Sequence, residues 1–134
     1  MGLQEQEKID LVKYRLEKAN ATLAEVFVQL ENQFYRTAVN RLYYACYYAA
    51  TAILINENYE SKTHSGVKTL LGLHFFKENR IDKAFSLLYD KLFNLRQTGD
   101  YEDWVYLSEE DVLPLVEPAE QFIKTIENLI NNEN

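Results

Sequence analysis

The sequence predicts an all-α protein, an up-down bundle of four to five helices. Apolar side chains recur at steps of three and four residues over long stretches, which is the spacing of one face of an α-helix. The 134 residues include only 4 Gly and 2 Pro, and Pro114 and Pro118 both lie in the last quarter. Long stretches are therefore free of helix breakers. With 47% hydrophobic residues, the chain is expected to form one domain over residues 1–134.

The first helix is predicted from a stripe of apolar residues near the start of the chain. The stripe consists of Ile9, Val12, Leu16, Ala19, Leu23, Val26 and Leu30. Charged residues fill the positions between them, so this helix should have one buried face and one solvated face, with Lys18 on the solvated side. A polar break at residues 31–33 ends it.

The second helix is predicted from about Tyr35 to Asn56, and from Leu42 onward it is apolar on nearly every side. A helix of this kind belongs in the centre of a bundle. Its segment YYACYYAA contains four tyrosines, each with a large ring to bury and a hydroxyl that needs a partner. We therefore expect the tyrosine hydroxyls to point to a polar seam or to a second subunit.

Two further helices follow. Either Ser61 or Thr63 can cap a third helix that extends to about Asn79. Asp82 can cap a fourth helix, in which apolar residues again step by three and four until Arg96.

The fifth helix follows an irregular stretch with the sequence QTGDYEDWVYLS. Ser108 and Asp111 resemble a capping box with Asp in place of Glu, and the helix should extend through Ile130. Because Pro114 is unfavourable in the first turns beyond the first position, the start could instead shift to Leu113.

Charge is distributed unevenly along the chain. The net charge of -7 argues against a general nucleic-acid binder, because affinity for phosphate comes mainly from Lys and Arg. Residues 36–96, however, carry 9 basic and 5 acidic side chains, whereas residues 97–134 carry 1 and 10. The sequence therefore predicts a locally basic surface on the middle helices and an acidic final segment that would repel nucleic acid.

Several classes of protein are disfavoured. The single Cys46 cannot form an internal disulfide, and no signal-peptide pattern follows Met1, so a cytoplasmic location is expected. The apolar run at residues 42–55 is shorter than the roughly 20 residues that span a bilayer, so no membrane contact is expected. Zinc-ligand spacing, phosphate-loop glycines and a Ser/His/Asp signature are absent from the sequence, which predicts neither a metal site nor a cofactor.

Two polar residues stand out as candidates for chemistry. His64, near the start of the third helix, is most simply a surface or capping histidine, since a lone His is weak support for a metal site. Arg96 ends the fourth helix and precedes Asp100 and Tyr101. It either offsets the helix dipole and pairs with a nearby carboxylate, or binds a phosphate bidentately beside the phenol. Spacing alone favours the first reading.

Four segments in order resemble the small prokaryotic HEPN-domain proteins: RTAVNRLYYACYYAATAIL, KTHSGV, FFKENRI and LFNLRQTGDYED. The resemblance covers about residues 8 to 130. It implies an all-α bundle, a two-fold homodimer, and a toxin–antitoxin pairing with a minimal nucleotidyltransferase. Many such proteins are metal-independent ribonucleases that use an Arg followed, after four to six residues, by a His.

This sequence departs from that motif at the histidine. Arg96 matches the arginine, but after QTGD the next residue is Tyr101. Because an unperturbed Tyr has a pKa near 10, it is a poor general base at neutral pH. His64 could take the role if the third helix brings it beside Arg96. The resemblance also makes Tyr101 the candidate acceptor of a transferred nucleotide.

Three functional hypotheses follow. The first is a homodimer whose polar cleft binds a nucleotide or an RNA phosphate without strong catalytic power. The second is an active ribonuclease toxin with His64 or Tyr101 in place of the missing histidine. The third is an interaction module whose acidic segment, from Asp100 to Glu120, docks a basic partner. The residues expected to form the cleft are Asn40, Arg41, Arg96, Asp100 and Tyr101.

Overall fold

The computed structural model describes the backbone of residues 2–101 and 106–133 and the side chains of residues 4–97 and 106–132. Within these residues it contains five α-helices and no β-strand. The helices are α1 (Gly2–Glu31), α2 (Tyr35–Asn56), α3 (His64–Leu71), α4 (Ala84–Tyr101) and α5 (Glu109–Glu133), with a π-helical turn (Gly72–Phe76) directly after α3. The prediction of an all-α bundle is confirmed.

Helix α2 occupies the centre of the bundle, as its apolar surface predicted. It packs along α1 and also contacts α3, α4 and α5. The small side chains of Ala45, Cys46, Ala49 and Ala50 are fully buried. Because they project little from the helix, the neighbouring helices can approach α2 closely. The predicted bounds of α2 are those of the structure.

Helix α1 buries its apolar stripe against α2. Val12, Ala19 and Val26 are almost completely buried, whereas Ile9 at the start of the stripe is 48% exposed. The connection from α1 to α2 is short, and within it the Phe34 N–H donates to the carbonyl of Gln29 at 2.8 Å. Such a short connection makes the two helices antiparallel neighbours.

The start of α3 is fixed by Thr63, one of the two predicted caps. Its Oγ1 accepts a hydrogen bond from the Gly66 N–H at 2.9 Å. Ser61 supports the cap, since its Oγ accepts from the Thr63 N–H at 3.3 Å. The cap places His64 at the first position of α3.

The predicted end of the third helix near Asn79 is wrong. Regular α-helix stops at Leu71 and continues only as the π-helical turn. Asn79 has a φ of 59°. A residue in this left-handed conformation cannot continue a right-handed helix.

The start of α4 was predicted correctly and its end was not. Asp82 Oδ1 accepts from the Ala84 N–H at 2.8 Å, which confirms the cap. The helix then continues past Arg96 to Tyr101, so the first part of the predicted irregular stretch is helical. Gly99 lies inside this last turn, where glycine costs about 1 kcal/mol relative to alanine and does not forbid a helix.

Helix α5 begins with the predicted capping interaction. The Ser108 N–H and Oγ–H both donate to Asp111 Oδ2, at 2.8 and 3.1 Å. The helix therefore starts at Glu109, and the alternative start at Leu113 is wrong. Pro114 lies inside α5, so the missing N–H of this proline does not end the helix.

Replacing Thr63 with alanine is expected to lower the free energy of unfolding by about 1 kcal/mol, because the Gly66 N–H loses its acceptor. Urea unfolding measures the effect. The matched control is Thr125→Ala, which removes a hydroxyl bonded to a carbonyl one turn back inside α5. The control should change stability by less than about 0.5 kcal/mol. Equal losses in both variants would contradict the assigned cap.

Candidate functional site

The site is built on four tyrosines of α2, which we call the tyrosine cluster: Tyr43, Tyr44, Tyr47 and Tyr48. Neighbouring rings of the cluster lie 5.2 to 6.0 Å apart between centroids. Tyr43 is fully buried, and the other three are half-buried. One side of α2 therefore combines an aromatic floor with hydroxyl groups at its edge.

Arg96 reaches this cluster from α4. Its Nη1 donates a hydrogen bond to Tyr44 Oη at 3.1 Å. Its Cζ lies 5.2 Å from the ring centroid of Tyr43 and 5.7 Å from that of Tyr44. The guanidinium is thus oriented by two aromatic rings and a hydroxyl, as cation–π contacts favour. The hydroxyl of Tyr44 thus meets a polar partner within the same chain, as the expectation of a polar seam requires.

His64 reaches the same cluster from α3. Its Nδ1 lies 2.8 Å from Tyr43 Oη, and its ring stacks on Tyr47 with centroids 4.4 Å apart and planes inclined by 25°. His64 is therefore not a capping residue, since Thr63 performs that role. Helix α3 places His64 on the same tyrosines that hold Arg96, an arrangement on which the ribonuclease hypothesis depends.

The surroundings of His64 and Tyr43 shift the pKa values of both side chains. Burial lowers the pKa of His64, and the Arg96 charge lowers it further. Burial raises the pKa of Tyr43 to about 12, so its hydroxyl keeps its proton at neutral pH. The pair has two arrangements: Tyr43 donates to Nδ1 and the proton of His64 is on Nε2, or Nδ1–H donates to Tyr43 and Nε2 has a free lone pair. Only the second arrangement makes Nε2 a base.

Asn40 and Arg41 are hydrogen-bonded to each other, and Arg41 contacts the tyrosine cluster. Arg41 Nε and Nη2 donate to Asn40 Oδ1 at 3.1 and 2.8 Å. The Arg41 Cζ lies 5.2 Å from the ring centroid of Tyr44, and its Nη1 lies 3.5 Å from Glu25 Oε2. Arg41 therefore contacts the cluster directly, whereas Asn40 contributes by orienting Arg41.

Asp100 and Tyr101 occupy the last turn of α4, and their side chains lie outside the part of the chain that the structure describes. Their backbone follows Arg96 by four and five residues, about one turn of helix. Their predicted roles in the cleft stay predictions.

Two further cations lie beside the tyrosine cluster and were missed in the sequence. Lys18 Nζ lies 4.7 Å from the ring centroid of Tyr48, although the stripe of α1 assigned Lys18 only to a solvated face. Arg15, one residue before the stripe position Leu16, lines a groove together with Tyr47. The signal in the sequence is weak, because only the packing of α1 on α2 brings these cations to the tyrosines.

Other kinds of chemistry find little support in the described residues. They contain no group of three or more His, Cys, Asp or Glu that could hold a metal ion. Cys46 is fully buried, and burial raises the pKa of its thiol. It is therefore a packing residue rather than a nucleophile. No helix among the described residues is both long enough and apolar enough to cross a membrane.

Comparison with known proteins agrees with the helical fold. The sequence profile of the HEPN domain matches residues 12–129, which include all five helices in whole or in part. The chain belongs to the HEPN family. The resemblance drawn from the four sequence segments is therefore confirmed, and with it the HEPN-like fold.

Relatives of this HEPN chain come from bacteria and archaea. It is 34% identical to a "UPF0332 protein" of Thermotoga maritima, over 94% of this chain and 96% of the relative. It is 33% identical to a "Putative toxin" of Methanocaldococcus jannaschii, over 86% of this chain and 85% of that protein. A "UPF0332 protein" of Archaeoglobus fulgidus is 27% identical over 92% of this chain and 98% of the relative.

The shifted pKa of His64 gives a testable prediction for this HEPN protein. In an NMR titration, His64 should lose its proton below the ordinary value of about 6.5. Replacing Arg96 with glutamine should move the pKa of His64 upward, because one of the two causes is removed. Unfolded protein in urea provides the reference titration. An unchanged pKa in the Arg96→Gln variant would contradict the electrostatic contact.

The lowered pKa of His64 makes the stability of the folded protein depend on pH. Because the pKa of His64 is lower in the folded state, the unfolded chain binds the proton first as pH falls. The contribution of His64 to stability is therefore fully present above about pH 6.5 and is lost as pH falls through the folded pKa. A His64→Ala variant should lose stability less steeply than the wild type over this window.

Proposed function

We propose that this HEPN protein binds a nucleotide or an RNA phosphate at Arg96. The observation that supports the proposal best is the position of the Arg96 guanidinium, which lies against Tyr43 and Tyr44 and next to His64 in the same cluster. A guanidinium held in this way presents a planar fork of donors that matches the oxygens of a phosphate.

The combination of cations with aromatic rings supports a single-stranded ligand. Arg41 and Arg96 lie against Tyr44, and Lys18 lies against Tyr48. Surfaces that bind single-stranded nucleic acid join positive charge along the backbone with rings on which bases stack. The positive charge of this HEPN chain is concentrated in residues 36–96 despite the net charge of -7. Binding is therefore expected at one local surface rather than over the whole molecule.

Titration of the wild-type protein with a short fluorescent RNA tests this proposal. Affinity should fall as salt concentration rises, with a slope that reports the small number of phosphates neutralised, about 0.7 per phosphate for a single strand. The same titration with the uncharged nucleoside is the control. Equal affinity for the RNA and the nucleoside would contradict a phosphate site.

A second candidate is a metal-independent ribonuclease, favoured by the proximity of His64 to Arg96. In this reaction Nε2 of His64 takes the proton of a ribose 2′-hydroxyl, and the 2′-oxygen attacks the adjacent phosphorus. Arg96 stabilises the negative charge that develops on the phosphate oxygens. Tyr101 is the candidate donor of the proton that the departing 5′-oxygen requires. The lowered pKa of His64 supports the base role, because the imidazole is then mostly neutral at pH 7.

Cleavage of total RNA in the presence of EDTA tests the second candidate. We expect cleavage by the wild type and its loss in both Arg96→Ala and His64→Ala. The matched control is His74→Ala, since His74 stacks on Tyr59 outside the tyrosine cluster. Absence of cleavage by the wild type would reject the ribonuclease and leave the binding proposal standing.

We further infer a toxin-like role, a homodimer and a nucleotidyltransferase partner. The support is the similarity to proteins named as toxins, together with membership of the HEPN family. Light scattering should show a dimer, and expression should slow growth in a way that Arg96→Ala relieves. An alternative role as an interaction module predicts instead that partner binding survives Arg96→Ala and weakens with salt.

A further inference from the structure

The groove lined by Arg15 and Tyr47 lies beside the tyrosine cluster. It is bounded by the first half of α1, the second half of α2 and the loop before α3. Its volume is about 940 Å³, which is near the upper end of typical ligand pockets. Tyr47 belongs to both places, because its ring stacks on His64 and also lines the groove. The groove therefore adjoins the tyrosine cluster at Tyr47.

Charged side chains are arranged unequally along this groove. Those that line it are Glu5, Glu7, Lys8, Arg15, Glu60 and Lys62. Lys8 is paired with Glu5 at 3.9 Å. Arg15 follows Glu7 by eight residues, a rise of about 12 Å along α1. Arg15 is thus separated along α1 from Glu5 and Glu7, whereas the loop before α3 contributes both Glu60 and Lys62 to the lining.

Arg15 is the polar group of the groove that most needs a ligand. Its Nε is buried and has no hydrogen-bond partner among the described residues. A buried donor without an acceptor is unfavourable, so such groups are rare unless something binds them. Burial raises the pKa of Tyr47, which lines the same groove, and the positive charge of Arg15 acts in the opposite direction.

We propose that the end of the groove at Arg15 binds a second phosphate of the RNA chain whose first phosphate lies at Arg96. This inference rests on the function proposed for Arg96. It makes the preferred ligand an oligonucleotide rather than a mononucleotide. Arg15 supplies donors to the second phosphate, Lys62 adds positive charge, and the ring of Tyr47 separates the two subsites. The chemistry required of the ligand is a phosphodiester chain with at least two phosphate groups.

A series of 5′-phosphorylated oligoadenylates, from adenosine monophosphate to the tetranucleotide, tests this inference. For the wild type, affinity should rise about tenfold or more at the length that first reaches Arg15, as expected for hydrogen bonds to a charged group. Arg15→Gln should remove this step and leave the affinity for the monophosphate unchanged. Arg15→Lys, which keeps the charge, should retain part of the step. The matched control is Lys13→Gln, which removes an exposed charge from the same helix outside the groove.

Each other outcome is decisive. The same step in Arg15→Gln as in the wild type would overturn the second subsite. Loss of monophosphate binding in Arg15→Gln would also overturn it, because Arg15 would then belong to a single site. Affinity independent of length in the wild type would reject the second subsite while the function proposed for Arg96 stands. Failure of the wild type to bind any member of the series would reject both. Thermal unfolding of each variant checks that the fold is retained.

Discussion

Replacing Arg96 with alanine is expected to weaken RNA binding by about 10- to 100-fold, the largest effect of any single substitution in the site. The guanidinium is the charged donor group that Tyr43 and Tyr44 orient. Hydrogen bonds to charged groups contribute about 1.5–3 kcal/mol, which corresponds to this range in affinity. Arg96→Lys should recover only part of the loss, since an ammonium keeps the charge but cannot form the bidentate fork.

The control for Arg96 lies on the same helix. Lys91 is exposed on α4, and its charge acts on Asp111 at the start of α5 rather than on the tyrosine cluster. Lys91→Ala removes one positive charge from α4 without touching the site, so affinity should change little. A similar loss in Lys91→Ala and Arg96→Ala would mean that net charge, rather than a defined phosphate site, determines binding.

Replacing Tyr43 with alanine is expected to cost about 3–5 kcal/mol of unfolding free energy, as for other large aromatic side chains removed from a core. Tyr43 is fully buried. Its ring contacts those of Tyr89 and Phe93 on α4 and that of His64 on α3. A single domain is typically stable by about 5–15 kcal/mol, so the loss is a large fraction of the total. Urea unfolding followed by circular dichroism gives the measurement.

Two variants separate the ring of Tyr43 from its hydroxyl. Tyr43→Phe keeps the ring and removes the hydroxyl that contacts His64, so its cost should be about 0.5–1.5 kcal/mol. Tyr14→Ala removes a tyrosine that is 54% exposed on α1 and should change stability by less than about 0.5 kcal/mol. A Tyr43→Ala variant as stable as Tyr43→Phe would refute the central packing role of the ring.

Arg96→Ala and Tyr43→Phe distinguish a residue that binds the ligand from one that supports the site. Arg96→Ala should weaken binding strongly while the protein stays folded, because Arg96 is only partly buried. Tyr43→Phe should stay folded and change the site mildly, since Tyr44 still accepts the hydrogen bond from Arg96. We therefore expect the tyrosine cluster to act as a platform and Arg96 to be the group that contacts the ligand.

Much of the fold could be predicted from local patterns. The stripe of α1, the apolar surface of α2 and the caps at Thr63, Asp82 and Ser108 all lie within a few residues of the positions that they control. The predicted ends of the third and fourth helices were wrong. The left-handed Asn79 and the continuation of α4 past Arg96 depend on backbone conformations that residue type does not determine.

The candidate site was only partly predictable. Arg96 was singled out because it matches the arginine of the HEPN motif, and the tyrosines because four hydroxyls in an apolar helix require partners. His64 was named as a candidate, but its position on the same tyrosines as Arg96 could not be predicted, because the two residues are 32 positions apart in the sequence. Lys18 and Arg15 looked like ordinary flanking charges of an amphipathic helix. Their relation to Tyr48 and Tyr47 is created by packing alone.

The sequence by itself determined the all-α class, the central position of α2, the caps of α3, α4 and α5 and the family, because periodicity, capping and motifs are properties of neighbouring residues. Only the tertiary structure decided which residues share a site. The contact of α3 and α4 with α2 places His64 and Arg96 on the same tyrosines. This contact depends on how the buried surfaces of the helices fit together. Such a fit is a property of the whole bundle rather than of any one segment.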